Sequence, residues 1–375
     1  MLTLPIIMAS SSTLSTVGVV TAPITSAITT HPAVVGSGWM LSSIVFSTFY
    51  TTVFLKHGAP TKTENDFEKR QTEIIHGTSS HEDDAQMKHR SSKAKIISTL
   101  KNISRPQLLT LYRFSGSLFL GTFANPDVLG CGKRLMNTIA YSNDFALAAL
   151  FLFTANYCNS LALDRIGISL TYTSKCLIPL ITVLLTLYVD GVTALPSPTA
   201  LAMLIPIACG VALASWNSPA FEKRGFLAAI TSSTAQAALN VSSKRALSTT
   251  GVSGLQAQQS MASMALIISL CVTAQKYIGT KNNRVTNKEA ERPLPPLRLS
   301  LAAIAAYHYE YVLSFLFLKM VSPIGYGTCD AVRRLGIIIA GRRFFGGEPF
   351  SLTNYFGVGL ALLGAMGYSI AGVKN

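Results

Sequence analysis

Read as bare sequence, this chain should fold as an all-α integral membrane protein. Composition, segregation of charge and the length of the apolar runs each point that way. Of 375 residues, 49% are apolar and only 13% charged, against roughly 25% charged in a typical soluble protein. The mean hydropathy is +0.39. No Asp, Glu, Lys or Arg precedes Lys56, and the later charges crowd into polar stretches between apolar runs. Those runs are about 18–25 residues long, the length that carries a helix across a bilayer core.

Residues 1–36 are rich in Ser, Thr and Val and uncharged apart from His31. They lack the basic start of a secretion signal and the arginines of a transit peptide, so a disordered extension is expected. The first span runs from Gly38 to Leu55. The loop 57–105 that follows mixes charges (Glu64, Asp66, Lys69, Arg70, Glu82, Asp83) with few branched or aromatic residues. It cannot bury a core and is expected to be disordered. Further spans are expected at 107–124, 143–162, 167–189, 198–216, 225–247, 256–278, 299–318, 323–341 and 353–372. Breakers separate them: Asn125-Pro126-Asp127, Asp190-Gly191, Pro196-Ser197-Pro198, a basic Pro-rich loop at 280–298, and Gly346-Gly347-Glu348-Pro349.

A weak internal repeat recurs at an offset of about 155, where Ile166–Gly191 lines up with Val321–Gly346. Each copy has a polar half, an apolar half and a closing glycine, and each precedes a Gly-rich span. The predicted architecture is therefore ten transmembrane helices in two inverted repeats of five, 37–216 and 225–372. Repeats with an odd number of spans must lie in opposite orientations, a plan that puts a binding site between the halves near midplane. Small residues around Gly210 and from Gly357 to Gly364 would let helices approach closely.

The net charge of +14 is scattered over connections, with no aromatic-basic module beside it, which argues against nucleic acid and for a lipid bilayer as partner. Six cysteines fall singly in or near apolar segments without metal spacing, so no metal is expected. No nucleophile–base set or phosphate-cradling glycine loop suggests an enzyme or a cofactor.

Two stretches put basic side chains at membrane depth: Lys175 in the first half, and Arg333 with Arg334 in the second. A charge there costs a few kcal/mol, about 2.5–3.5 on insertion scales, unless it faces a protein-lined cavity, so by default it marks a pathway. Tyr172 and Thr171 precede Lys175 by three and four residues and should share its helix face. Asp330 precedes Arg334 by four residues, the spacing of an intrahelical ion pair. Arg113, Glu310 and His308 complete the expected site, His308 either as a proton relay or as a hydrogen-bonded bundle histidine. Four cations against Glu310 and Asp330 leave a cavity of about two positive charges, suited to an anion.

The motifs in question are Asn159-Ser-Leu-Ala-Leu, Ile168 to Lys175, Gly210 to Ser215, Gly225-Phe with Asn240 to Arg245, Tyr307-His308, Val321-Ser-Pro323, Val332-Arg333-Arg334 and Gly357 to Ser369. In this order they resemble the triose-phosphate/nucleotide-sugar translocator family of the drug/metabolite transporter superfamily, over roughly residues 105–373. The resemblance implies an antiporter that exchanges an organic phosphate for a counter-anion. The solute would be a sugar phosphate, a triose phosphate or a nucleotide sugar. It also implies that Lys175, Arg333 and Arg334 stand where sugar-phosphate carriers hold the phosphate. Those relatives have Lys-Arg where this chain has Arg-Arg, an uncharged residue at Asp330 and a tyrosine at Glu310. The departures keep open a transport-inactive protein of the same fold. A homodimer also stays open. The expected location is an organelle membrane, Golgi or ER ahead of a plastid-type membrane.

Overall fold

The computed structural model describes residues 32–58, 103–123, 131–191, 196–216, 218, 221–252, 254–282, 293–320, 323–346 and 351–371. The expected disorder lies outside the described residues over 1–31 of the 1–36 extension and over most of 57–105, as does 283–292 of the basic Pro-rich loop. Helix α1 spans Pro32–Lys56, with a π-helical turn at Ser42–Ser47. It therefore begins ahead of the expected boundary at residue 36, with proline in its first turn, where a missing N–H costs nothing. After it come α2 (Arg105–Phe123) and α3 (Cys131–Ala140). Helix α4 (Ala146–Ser174) leads through a 3₁₀ turn (Lys175–Leu177) into α5 (Ile178–Asp190). Next are α6 (Pro198–Ala202), α7 (Leu204–Ser215), α8 (Lys223–Thr250) and α9 (Gly254–Asn282). The chain closes with α10 (Leu297–Met320), α11 (Pro323–Phe345) and α12 (Leu352–Ala371).

The expected spans 143–162 and 167–189 meet without a loop. Their junction is a single residue, Gly167, at φ +73° inside α4. That backbone region is costly for any side chain with a Cβ, and glycine enters it freely. Helix α3 was not expected, since ten residues are too few for a span.

Among the described residues, four helical stretches are long and apolar enough to cross a membrane: Pro32–Lys56, Ala146–Val189, Pro198–Ser215 and Gln256–Gln275. Large apolar side chains point outward from many helices, among them Phe119, Leu147, Ile205, Leu227, Ile267 and Leu363. An apolar coat of this kind suits lipid and is foreign to a water-soluble monomer. This is a multi-pass membrane protein, all-helical over the described residues.

Several buried clusters hold the helices together. One joins Phe54 and Leu55 of α1 to Leu108 and Leu109 of α2, Ile168 and Tyr172 of α4, Ile337 of α11 and Ala361 of α12. Another joins Phe114, Leu152, Leu239 and Met261 of α2, α4, α8 and α9. Helices α7 and α12 meet almost backbone to backbone, as the small residues led us to expect. A Cβ on Gly210 would lie 2.4 Å from the Ala361 amide nitrogen, and one on Gly357 would lie 2.4 Å from that of Ala214. Only glycine permits that approach.

Candidate functional site

A cavity of about 230 Å³ opens in the middle of the bundle. Polar side chains at helical spacing line it. Helix α10 supplies Tyr307, Glu310, Tyr311 and Ser314, at intervals of three and four residues, so one face of an otherwise apolar helix looks inward. Helix α4 supplies Asn156, Asn159 and Tyr172, and α8 supplies Gln236 and Asn240. Trp39 and Thr51 come from α1, Arg113 from α2, Lys175 from the 3₁₀ turn, and Asp330, Arg333 and Arg334 from α11.

The arginine pair is held by carboxylates. Asp330 Oδ1 accepts from Arg333 Nε (3.0 Å) and Nη2 (2.6 Å), while its Oδ2 accepts from Arg334 Nη2 (2.5 Å). Arg333 Nη1 reaches Glu310 Oε1 at 3.0 Å and Ser43 Oγ at 2.6 Å. The Ser43 hydroxyl donates to the same Glu310 oxygen at 2.7 Å. Ser43 sits in the π-helical turn of α1, an irregularity often found at functional positions. The Arg333 guanidinium also stacks 5.0 Å from the Trp39 ring. Arg334 Nη1 donates to the Lys175 carbonyl at 2.5 Å and so ties α11 to the turn after α4.

Lys175 and Arg113 are placed differently. The Lys175 ammonium lies 5.1 Å from the centre of the Tyr172 ring. Arg113 donates to Thr51 Oγ1 at 2.5 Å and to Ser160 Oγ at 3.5 Å, with its guanidinium 5.0 Å from the Tyr307 ring. Neither cation has an ion-pair partner among the described residues. Three buried polar atoms at the cavity, Arg113 Nε, Arg334 Nε and Asn159 Oδ1, have no hydrogen-bond partner. Buried groups of that kind call for an occupant such as water or a polar solute.

Seven of the nine expected site residues line this one cavity: Arg113, Tyr172, Lys175, Glu310, Asp330, Arg333 and Arg334. Thr171 and His308 do not. Thr171 is fully buried in helix packing and donates to the Gly167 carbonyl at 2.7 Å. The Lys175 N–H still bonds the Thr171 carbonyl, so the helical register between them holds, but the Thr171 hydroxyl is spent on the helix's own backbone. His308 turns toward α2, with Nδ1 3.3 Å from Ser117 Oγ. Two residues apart on a helix, His308 and Glu310 face different ways. Missing from the expectation were Ser43, Thr51, Asn156, Asn159, Gln236, Asn240 and Tyr311. Asn156 with Asn159, Gln236 with Asn240 and Tyr307 with Tyr311 were legible as polar pairs three or four residues apart, whereas Ser43 and Thr51 carried no signal that set them apart in a hydroxyl-rich run.

A model of the Triose-phosphate Transporter family matches residues 95–369. Phosphoenolpyruvate/phosphate translocator 1, chloroplastic, of Arabidopsis thaliana is 28% identical over 285 residues, 73% of this chain and 67% of that protein. The triose phosphate/phosphate translocator of non-green plastids of Brassica oleracea var. botrytis is 28% identical over 279 residues, 72% of this chain and 66% of that protein. Phosphoenolpyruvate/phosphate translocator 3, chloroplastic, of Oryza sativa subsp. japonica is 32% identical over 215 residues, 56% of this chain and 53% of that protein. The match thus spans about two thirds of the first two relatives and about half of the third. Every residue lining the cavity except Trp39 and Thr51 falls within the stretch that the family model covers. The chain belongs to the Triose-phosphate Transporter family.

Proposed function

We propose that this protein is an antiporter that exchanges a small phosphorylated solute for phosphate or a second phosphorylated anion. The observation that carries the reading is the convergence of Arg113, Lys175, Arg333 and Arg334, from both halves of the chain, on one cavity. Two carboxylates against four cations leave two positive charges, which match a phosphate ester of about −1.5 to −2 near neutral pH. Relatives named as translocators of phosphoenolpyruvate, triose phosphate or glucose 6-phosphate with phosphate support the same class of solute. The cavity, about 230 Å³, lies below the roughly 300–1,000 Å³ of pockets for drug-sized ligands. That favours a small acid or sugar phosphate over a nucleotide sugar.

The architecture we propose is ten spans in two inverted repeats, 37–216 and 225–372, with α4 contributing its two sides of Gly167 to consecutive spans. Helix pairing supports it. Helix α2 packs on α9 and α7 on α12, each beside its own counterpart in the other half. Contacts of α4 with α8 are mirrored by those of α10 and α11 with α1. The halves would rock around the cavity, and Lys175 with Arg113 would meet the phosphate as the two cations free of carboxylates. The chloroplast relatives support a plastid-type membrane; they lend nothing to the Golgi or ER preference.

Purified protein in liposomes preloaded with phosphate tests the reading. We expect uptake of labelled phosphate, and competition from phosphoenolpyruvate, triose phosphate or glucose 6-phosphate outside. Uptake at the level of protein-free liposomes would reject it. That result, together with a flat thermal-shift response to the same anions, would favour the transport-inactive alternative, whose support is the occupied arginine pair.

A further inference from the structure

We propose that the Asp330 and Glu310 carboxylates act as a built-in counter-anion, so that this carrier returns across the membrane empty and performs net transport besides exchange. The inference rests on the exchange reading above and adds an activity to it. A carrier that must close around bare cations faces a desolvation cost that grows steeply with net charge. A bound anion removes that cost, which is why a purely basic cavity enforces exchange. Here the cost is already reduced before any solute arrives. All three side-chain nitrogens of Arg333 donate to protein oxygens on Asp330, Glu310 and Ser43, and Arg334 shares the second Asp330 oxygen.

The charge balance gives the size of the effect. With the carboxylates in place the empty cavity carries two positive charges instead of four, and a cavity holding a dianion is close to neutral. If the cost scales with the square of net charge, the gap between empty and loaded carriers shrinks roughly threefold. Asp330 holds its arginines from three and four residues away on the same helix, so this pairing accompanies α11 when other helices shift. Glu310 reaches Arg333 from α10 with the help of Ser43 from α1. Arg113 and Lys175 remain to attract the anion.

The experiment compares two uptake rates in the same proteoliposomes, using labelled inorganic phosphate outside. One set contains internal phosphate; the other contains only an impermeant buffer, with the membrane potential clamped to zero. For the full chain we expect net uptake within about tenfold of exchange. For Asp330→Asn with Glu310→Gln, the ratio of net uptake to exchange should fall at least about tenfold, because the buried arginines lose their compensation. Glu310→Gln alone gives the same test, with a smaller fall, if the double variant does not assemble. Brisk exchange with net uptake at the protein-free level in the unaltered chain would overturn the inference while leaving the exchange reading intact. An unchanged ratio in the variants would overturn it as well. Absence of exchange in the unaltered chain would reject the transport reading itself.

Discussion

Arg334 Nη1 donates to the backbone carbonyl of Lys175 at 2.5 Å, across 159 residues of chain. One basic residue of the site thus holds the turn that presents the other. The same guanidinium reaches Asp330 through Nη2. Arg334 is therefore as much a structural clamp between α11 and the turn after α4 as a source of positive charge.

Arg334→Ala leaves a buried carboxylate short of a donor and frees the turn. We expect it to destabilise the solubilised protein by about 2–4 kcal/mol and to abolish exchange. Arg334→Lys keeps the charge but lacks the planar fork that spans both acceptors, so it should recover only part of each. Thermal unfolding in detergent, run beside exchange assays, checks both. Unaltered melting in Arg334→Ala would contradict the clamp.

Lys175→Ala should behave in the opposite way. Its ammonium touches one aromatic ring and no carboxylate, so stability should change by less than about 1 kcal/mol. Exchange should fall at least about tenfold, chiefly through a raised KM for the anion, and Lys175→Arg should restore most of it. Full activity in the alanine variant would remove Lys175 from the site.

His308→Ala distinguishes a bundle histidine from a proton relay. Because the imidazole contacts Ser117 and not the cavity, exchange should stay within about twofold of the parent at every pH tested. A pH profile that flattens in this variant would restore the relay.

The α7–α12 contact gives a test of the fold. At Gly357 a side chain would run into the backbone of α7, so Gly357→Leu should destabilise by about 2 kcal/mol or more. Two residues on, Gly359 has nothing within 4 Å of an added Cβ. Gly359→Ala should therefore be neutral or slightly stabilising, as alanine is favoured in helices. Equal melting temperatures for the two variants would contradict the close packing.

Much of this was legible from residue order alone, for local reasons. Apolar run length placed most of the helices to within a few residues, α3 and the early start of α1 excepted, and Asp330 could be paired with Arg334 because four residues bring side chains together on any helix. The small residues of α7 and α12 announced a close approach. The family resemblance rested on motifs scattered from Asn159 to Ser369 and agrees with the match over residues 95–369.

Other features depend on how distant helices are rotated against one another. Spacing put Thr171 beneath Lys175, but neighbouring helices bury it and its hydroxyl bonds the Gly167 carbonyl instead of facing the cavity. His308 and Glu310 are near neighbours in the chain and belong to different surroundings. Above all, Arg333 is committed to Glu310 and Ser43, residues 23 and 290 positions away. Short-range rules say which faces of a helix are polar. Which partners those faces meet is decided when the bundle closes, because each buried charge must find its counter-charge or its solute there.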